Sequence, residues 1–111
     1  MNLAILFIFV LYCVNAVASG VYNEVPVSID PNARYVFYSH GLIVEGLDTT
    51  PEHPSWGTYD FPAILETFSK LDAFIIAEHR AKNTDPFEHA KKLQHQVHHL
   101  IKNGVSPSNI T

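Results

Sequence analysis

Two runs of β-forming residues, Tyr35-Val36-Phe37-Tyr38-Ser39 and Ala73-Phe74-Ile75-Ile76-Ala77, constrain the fold more than any other feature of the chain. Neither run alternates apolar with polar residues. A strand that is apolar on both faces belongs to a parallel sheet covered on both sides. Parallel neighbours need a crossover long enough to hold a helix, and the residues between the runs supply one. Asp60 can cap it, Pro62 falls in its first turn, and Phe61, Ile64, Leu65 and Phe68 recur at helical spacing. A second helix follows the second run. Asp85 is its expected N-cap, Pro86 its first residue and Glu88 its capping-box partner. Phe87, Ala90, Leu93, Val97, Leu100 and Ile101 form its expected buried stripe, and Gly104 ends it in the left-handed conformation. Upstream, residues 22–29 alternate loosely, as an edge strand would, until the turn signal Asp30-Pro31-Asn32. Ile110-Thr111 opens a further extended segment. The expected fold class is α/β: a partial three-layer α/β/α sandwich on a mostly parallel sheet, with right-handed crossovers.

The first eighteen residues stand apart. Leu3 to Val14 is an unbroken run of 12 apolar residues, and Ala16-Val17-Ala18 fits the small-x-small pattern before a signal-peptidase cut. The run falls short of the roughly 20 residues a membrane span needs. We therefore expect a signal peptide over residues 1–18, the N-terminal part of one domain over 19–111, cut off as its next strand begins, and a secreted or periplasmic protein. Met1-Asn2 brings no Lys or Arg, so an uncleaved anchor stays open as the one route to membrane contact. Seven Lys and Arg against eleven Asp and Glu give a formal net charge of −4, which supplies no basic field for a nucleic acid. The single cysteine, Cys13, excludes a disulfide framework. No Gly-rich phosphate loop and no Gly-x-Ser-x-Gly occur, and nothing calls for a cofactor.

Four features are candidates for chemistry. Ser39-His40-Gly41-Leu42 ends the first strand, where ligands of open α/β sheets bind. Gly41 there lets the backbone turn sharply and expose an N–H for an oxyanion; alternatively the segment is an ordinary turn with His40 bonded to backbone. The 19 residues from Gly41 to Tyr59 are long for a connection. They form either a wall over the strand ends or a surface excursion pinned by Trp56. Glu78-His79-Arg80 follows the second strand. Arg80 either holds a substrate carboxylate or phosphate, or fixes the loop by pairing with Glu78 or Asp60. His95 and His99 are four apart on the second helix, a spacing that can bind zinc or copper. With Lys92 they lie opposite the apolar stripe, on what is otherwise a solvated face. A small secreted binding protein that uses this helix for metal is the alternative to an enzyme.

The order of these motifs resembles a group within the α/β-hydrolase superfamily. The resemblance rests on Tyr38-Ser39-His40-Gly41-Leu42-Ile43-Val44-Glu45-Gly46, then His53-Pro54-x-x-Gly57-x-Tyr59, then Glu78-x-Arg80-x-x-x-Thr84-Asp85, and it spans roughly residues 34–111. It implies that His40-Gly41-Leu42 is the oxyanion loop, with the Leu42 N–H as donor. It also implies that the 35–39 strand lies between the 73–77 strand and one begun by Ile110-Thr111. In the family that last strand carries the catalytic serine, and the Asp and His of the triad follow later. None of the three is among these 111 residues. The implied protein is the N-terminal part of a secreted serine ester-type hydrolase acting on a small-molecule substrate.

Overall fold

A computed structural model describes residues 20–111; the expected signal segment lies outside the described residues. The chain runs β1 (Gly20–Tyr22), β2 (Tyr35–Phe37), β3 (Glu52–His53), β4 (Gly57–Thr58), α1 (Phe61–Ser69), β5 (Phe74–Ile76) and α2 (Pro86–Lys102), with 3₁₀ turns at Leu42–Val44 and Pro107–Asn109. Three strands form a parallel sheet in the order β1-β5-β2. β5 is central and buried along its whole length. The ladder outlasts the strands themselves: Tyr38 N–H donates to the Ile76 carbonyl at 2.9 Å and Ala77 N–H to that of Tyr22 at 2.8 Å. On the other edge of β2, Tyr35 bridges Ile110 in the parallel sense. Phe37 N–H donates to Thr111 O at 2.7 Å and Thr111 N–H to Tyr35 O at 3.0 Å.

Alternation along β5 splits the core in two, because successive side chains leave a strand on opposite faces. Phe74 and Ile76 join Tyr35, Leu100 of α2 and Val105. Ala73, Ile75 and Ala77 join Val36 and Tyr38, against Leu65 and Phe68 of α1. Tyr35 stacks on Phe74 with ring centroids 5.0 Å apart, and its hydroxyl anchors the preceding turn by donating to the Asp30 carbonyl. Burial is the main cause that raises the Tyr35 phenol above its usual range. The result is a small α/β arrangement of three parallel strands and two helices.

Both helices start as expected. Asp60 Oδ1 accepts from Ala63 N–H at 3.0 Å, and Asp85 Oδ1 accepts from Phe87 and Glu88 N–H. The reciprocal half of the capping box at α2 is not made, because the Glu88 carboxylate takes Lys91 at 2.9 Å instead. Gly104, at φ +94°, ends α2; Val105 N–H reaches back to the Leu100 carbonyl, satisfying one of the orphan acceptors of the last turn.

The structure corrects the sequence in three places. The first strand is Gly20–Tyr22, not residues 22–29: Pro26 has no N–H for a ladder, and Val25 N–H instead takes the Gln96 side chain at 2.9 Å. The stripe of α2 is rotated. Phe87 is 77% exposed and Ile101 43%, and Ala90 is exposed too, while Leu93, Val97 and Leu100 face inward beside His89, Lys92 and Gln96. Lys92 therefore does not lie opposite the stripe. It reaches Glu78 at 3.0 Å and Glu24 at 3.5 Å. Polar side chains can occupy a packed face when they find partners there, as Lys92 and Gln96 do, which hydrophobic periodicity alone does not register; the buried His89 Nε2 has no partner among the described residues.

Candidate functional site

The C-terminal ends of β2 and β5 bring two of the sequence motifs into one hydrogen-bonded unit. His40 is 3% exposed. Its Nδ1 lies 2.8 Å from the Gly41 carbonyl, and its Nε2 accepts from Arg80 N–H at 2.9 Å. A carbonyl only accepts, so the ring is neutral with its proton on Nδ1. The Arg80 guanidinium then bridges two groups of the first loop. Nη2 donates to the His40 carbonyl at 2.6 Å, and Nε donates to Glu45 Oε1 at 3.2 Å. The second Glu45 oxygen accepts from Asn83 N–H at 3.1 Å, and Asn83 adopts φ +63°, a conformation Asn tolerates better than most residues. His79 Nε2 donates to the Val44 carbonyl at 2.8 Å. Gly46 N–H returns to the Arg80 carbonyl.

Arg80 therefore fixes a loop, one of the two roles open to it from sequence. Its partner is Glu45, not Glu78 or Asp60. Glu78 turns to Lys92 and His89, and Asp60 is committed to its cap. Both partners of the Arg80–Glu45 pair are nearly dry, with side chains 11% and 6% exposed. Glu45, His79 and Asn83 complete the network; Glu45 and His79 stand inside the sequence motifs, but sequence reasoning gave none of the three a role. Glu45 gave one signal, a lone carboxylate after the apolar run Leu42-Ile43-Val44.

Phe61, the first residue of α1, walls the site. Its ring meets those of His40 at 5.1 Å and His79 at 5.6 Å. The resulting desolvation is the largest cause that pushes the His40 imidazole below its usual 6.5, and the nearby Arg80 and His79 act in the same direction. The sign for stability follows. The unfolded chain takes up the His40 proton at higher pH than the folded chain does, so stability falls as pH drops below 6.5 through the depressed folded value. An NMR titration of the His40 Cε1 proton is expected to give a midpoint under 6.5, and a midpoint at or above it would contradict the buried, neutral ring.

Gly41 has φ −69° and ψ 163°, extended backbone open to any residue. A Cβ there would meet only Tyr59 Cε2 at 3.9 Å, an ordinary contact. The turn thus does not depend on glycine, contrary to the sequence expectation. The Leu42 N–H donates no hydrogen bond among the described residues. It opens the 3₁₀ turn Leu42–Val44, in which Val44 and Glu45 N–H return to the Gly41 and Leu42 carbonyls.

The long connection from Gly41 to Tyr59 is structured. Its second half is the β3–β4 hairpin, whose second strand opens at Gly57, φ +77°. Trp56 stacks on His53 at 4.0 Å and stays 84% exposed, so it pins the hairpin from outside and not from the core. Leu42, Ile43, His53, Trp56, Thr58 and Tyr59 line a cleft of about 580 Å³ in front of the turn. The hydroxyl of Tyr59, one of the lining residues, lies 2.5 Å from that of Tyr38. Burial and the Tyr59 hydroxyl push the Tyr38 phenol up to about 12.

His95 and His99 are exposed on α2. Among the described residues no group of three or more His, Cys, Asp or Glu stands close enough to hold a metal ion. No helix among them is long and apolar enough to cross a membrane. No family model, no curated protein and no solved structure matches the chain.

Proposed function

We propose that the chain is the N-terminal part of a secreted α/β-hydrolase-like protein, a serine ester-type hydrolase with a three-layer sandwich, and that His40-Gly41-Leu42 is its oxyanion loop. The Leu42 N–H carries this reading: it donates no hydrogen bond among the described residues, and it belongs to a turn that the His40–Arg80–Glu45 network holds at the C-terminal end of β2, beside an apolar cleft. The placement of β2 between β5 and Ile110–Thr111 supports it, since a strand starting at Ile110 would deliver its C-terminal end beside the same loop.

In this reading the serine hydroxyl passes its proton to the triad histidine as its oxygen attacks the ester carbonyl; the carbonyl π pair moves onto the oxygen, which accepts from the Leu42 N–H, and collapse of the intermediate expels the alcohol, which takes that proton. A donor fixed by its turn needs little reorganisation as charge develops. Arg80 and Glu45 act as positioning residues, because their charges are spent on each other and on the loop. The serine belongs to the strand that Ile110 begins, and the Asp and His of the triad follow it in sequence. Turnover of 4-nitrophenyl acetate by the secreted product of the whole reading frame tests this. Serine-dependent hydrolysis is expected. A folded, purified product that turns over no ester would overturn it.

A further inference from the structure

We propose that Asn103 is a site of spontaneous deamidation, and that the cap closing α2 sets its rate. Deamidation within a chain needs the backbone nitrogen of the next residue to reach the asparagine Cγ, and glycine, with no side chain, obstructs that approach least. Of the chain's asparagines, only Asn103 is followed by glycine. It is exposed at the C-cap of α2, so water reaches it. The Gly104 nitrogen gives its proton to base, and its lone pair attacks Cγ. The Cγ–Nδ2 bond breaks, and Nδ2 leaves as ammonia with a proton from water. Water then opens the succinimide ring at either carbonyl, leaving aspartate or isoaspartate at position 103.

Both reacting groups are tied into the last turn of α2. Asn103 Nδ2 donates to the His99 carbonyl at 2.7 Å. Gly104 N–H donates to the Ile101 carbonyl and Val105 N–H to the Leu100 carbonyl, each at 3.1 Å, the two bonds of a Schellman motif. While they hold, the nucleophile keeps its hydrogen bond and the amide its orientation. The reaction therefore runs through molecules in which the end of α2 has opened. Its products do not fit the closed turn. A carboxylate at position 103 sets negative charge against the His99 carbonyl and the negative end of the helix. Isoaspartate also adds a carbon to the main chain just before Gly104, which holds φ +94°. Val105, 2% exposed, packs with Tyr35 and Leu100, so the lesion reaches the core that joins α2 to the sheet.

The test is incubation of the secreted product of the whole reading frame in mildly alkaline buffer, with and without unfolding urea, followed by mass spectrometry. Cleavage after Lys102 leaves Asn103 and Asn109 on one peptide, since no Lys or Arg lies between them, and fragment masses tell the two apart. Modification is expected at Asn103 and not at Asn109, which Ile110 follows, and about ten-fold or more faster in urea, where the cap is gone. Asn103→Asp, which reproduces one product, should lower the melting midpoint by about 2–8 °C. It should also melt below Asn103→Ala, which loses the hydrogen bond without adding charge. Equal rates with and without urea, an Asn103 that stays intact in urea, or Asn103→Asp melting no lower than Asn103→Ala would each overturn the proposal.

Discussion

Leu42→Pro is expected to leave the fold intact and to lower ester turnover by about 10²–10³-fold, the usual effect of losing one oxyanion donor. Few positions allow so clean a removal of a backbone N–H. Proline lacks that group and fixes φ near −65°. It is accepted at the first residue of a helical turn, where the N–H is free in any case, and Leu42 occupies that position. Proline also forces the residue before it into extended backbone, and Gly41 is already there at ψ 163°. The Leu42 side chain is mostly in solvent, so its loss costs the core little. The thermal midpoint should move by no more than a few degrees while kcat falls. Leu42→Ala is the companion control: it keeps the N–H and should keep most of the turnover of a short-chain ester. A proline variant with unimpaired kcat would remove Leu42 from the oxyanion site.

Arg80→Ala is expected to be the most destabilising single change in the site. It leaves the Glu45 carboxylate buried with one backbone N–H for company, and it unties the His40 carbonyl. Breaking a buried pair from one side costs about 3–5 kcal/mol. In a domain of this size each kcal/mol lowers the midpoint by about 4–8 °C, so the variant should melt far below the wild type. Arg80→Lys should recover little, because a single ammonium cannot reach Glu45 and the His40 carbonyl at once. By contrast, Lys92→Ala should cost about 0–1 kcal/mol, since the Lys92 side chain is 39% exposed and its pairs are open to solvent. Thermal denaturation of the three variants decides the matter. Similar losses at Arg80 and Lys92 would show that the loop does not depend on the buried pair.

Local features of the fold were legible in the sequence, because local chemistry determines them. The β-forming runs became β2 and β5, Asp60 and Asp85 cap their helices through their side chains, and Gly104 takes the left-handed position at the end of α2. What escaped depends on partners distant in the chain. Glu45 and Arg80 are 35 residues apart, and no spacing rule selects Glu45 over the nearer Glu78. The inward turn of His89, Lys92 and Gln96 depends on Glu78 and on the Val25 N–H, so apolar periodicity placed Phe87, Ala90 and Ile101 inside when all three are exposed. The β3–β4 hairpin was missed for a related reason. Its strands are two residues each, too short to show alternation, and its stabilising contact is a His53–Trp56 stack. Gly41 failed the other way: a glycine in a turn invites a conformational explanation, yet its backbone is ordinary, and the room in front of it belongs to the cleft.

The most direct measurement is the mass of the secreted product of the whole reading frame after reaction with an alkyl fluorophosphonate, which phosphonylates an activated serine and releases fluoride. We expect one adduct per chain, on a serine inside a Gly-x-Ser-x-Gly turn within about ten residues after Thr111, and slower labelling in Leu42→Pro. A folded product that takes up no phosphonyl group, or takes it up on Ser39, would contradict the account.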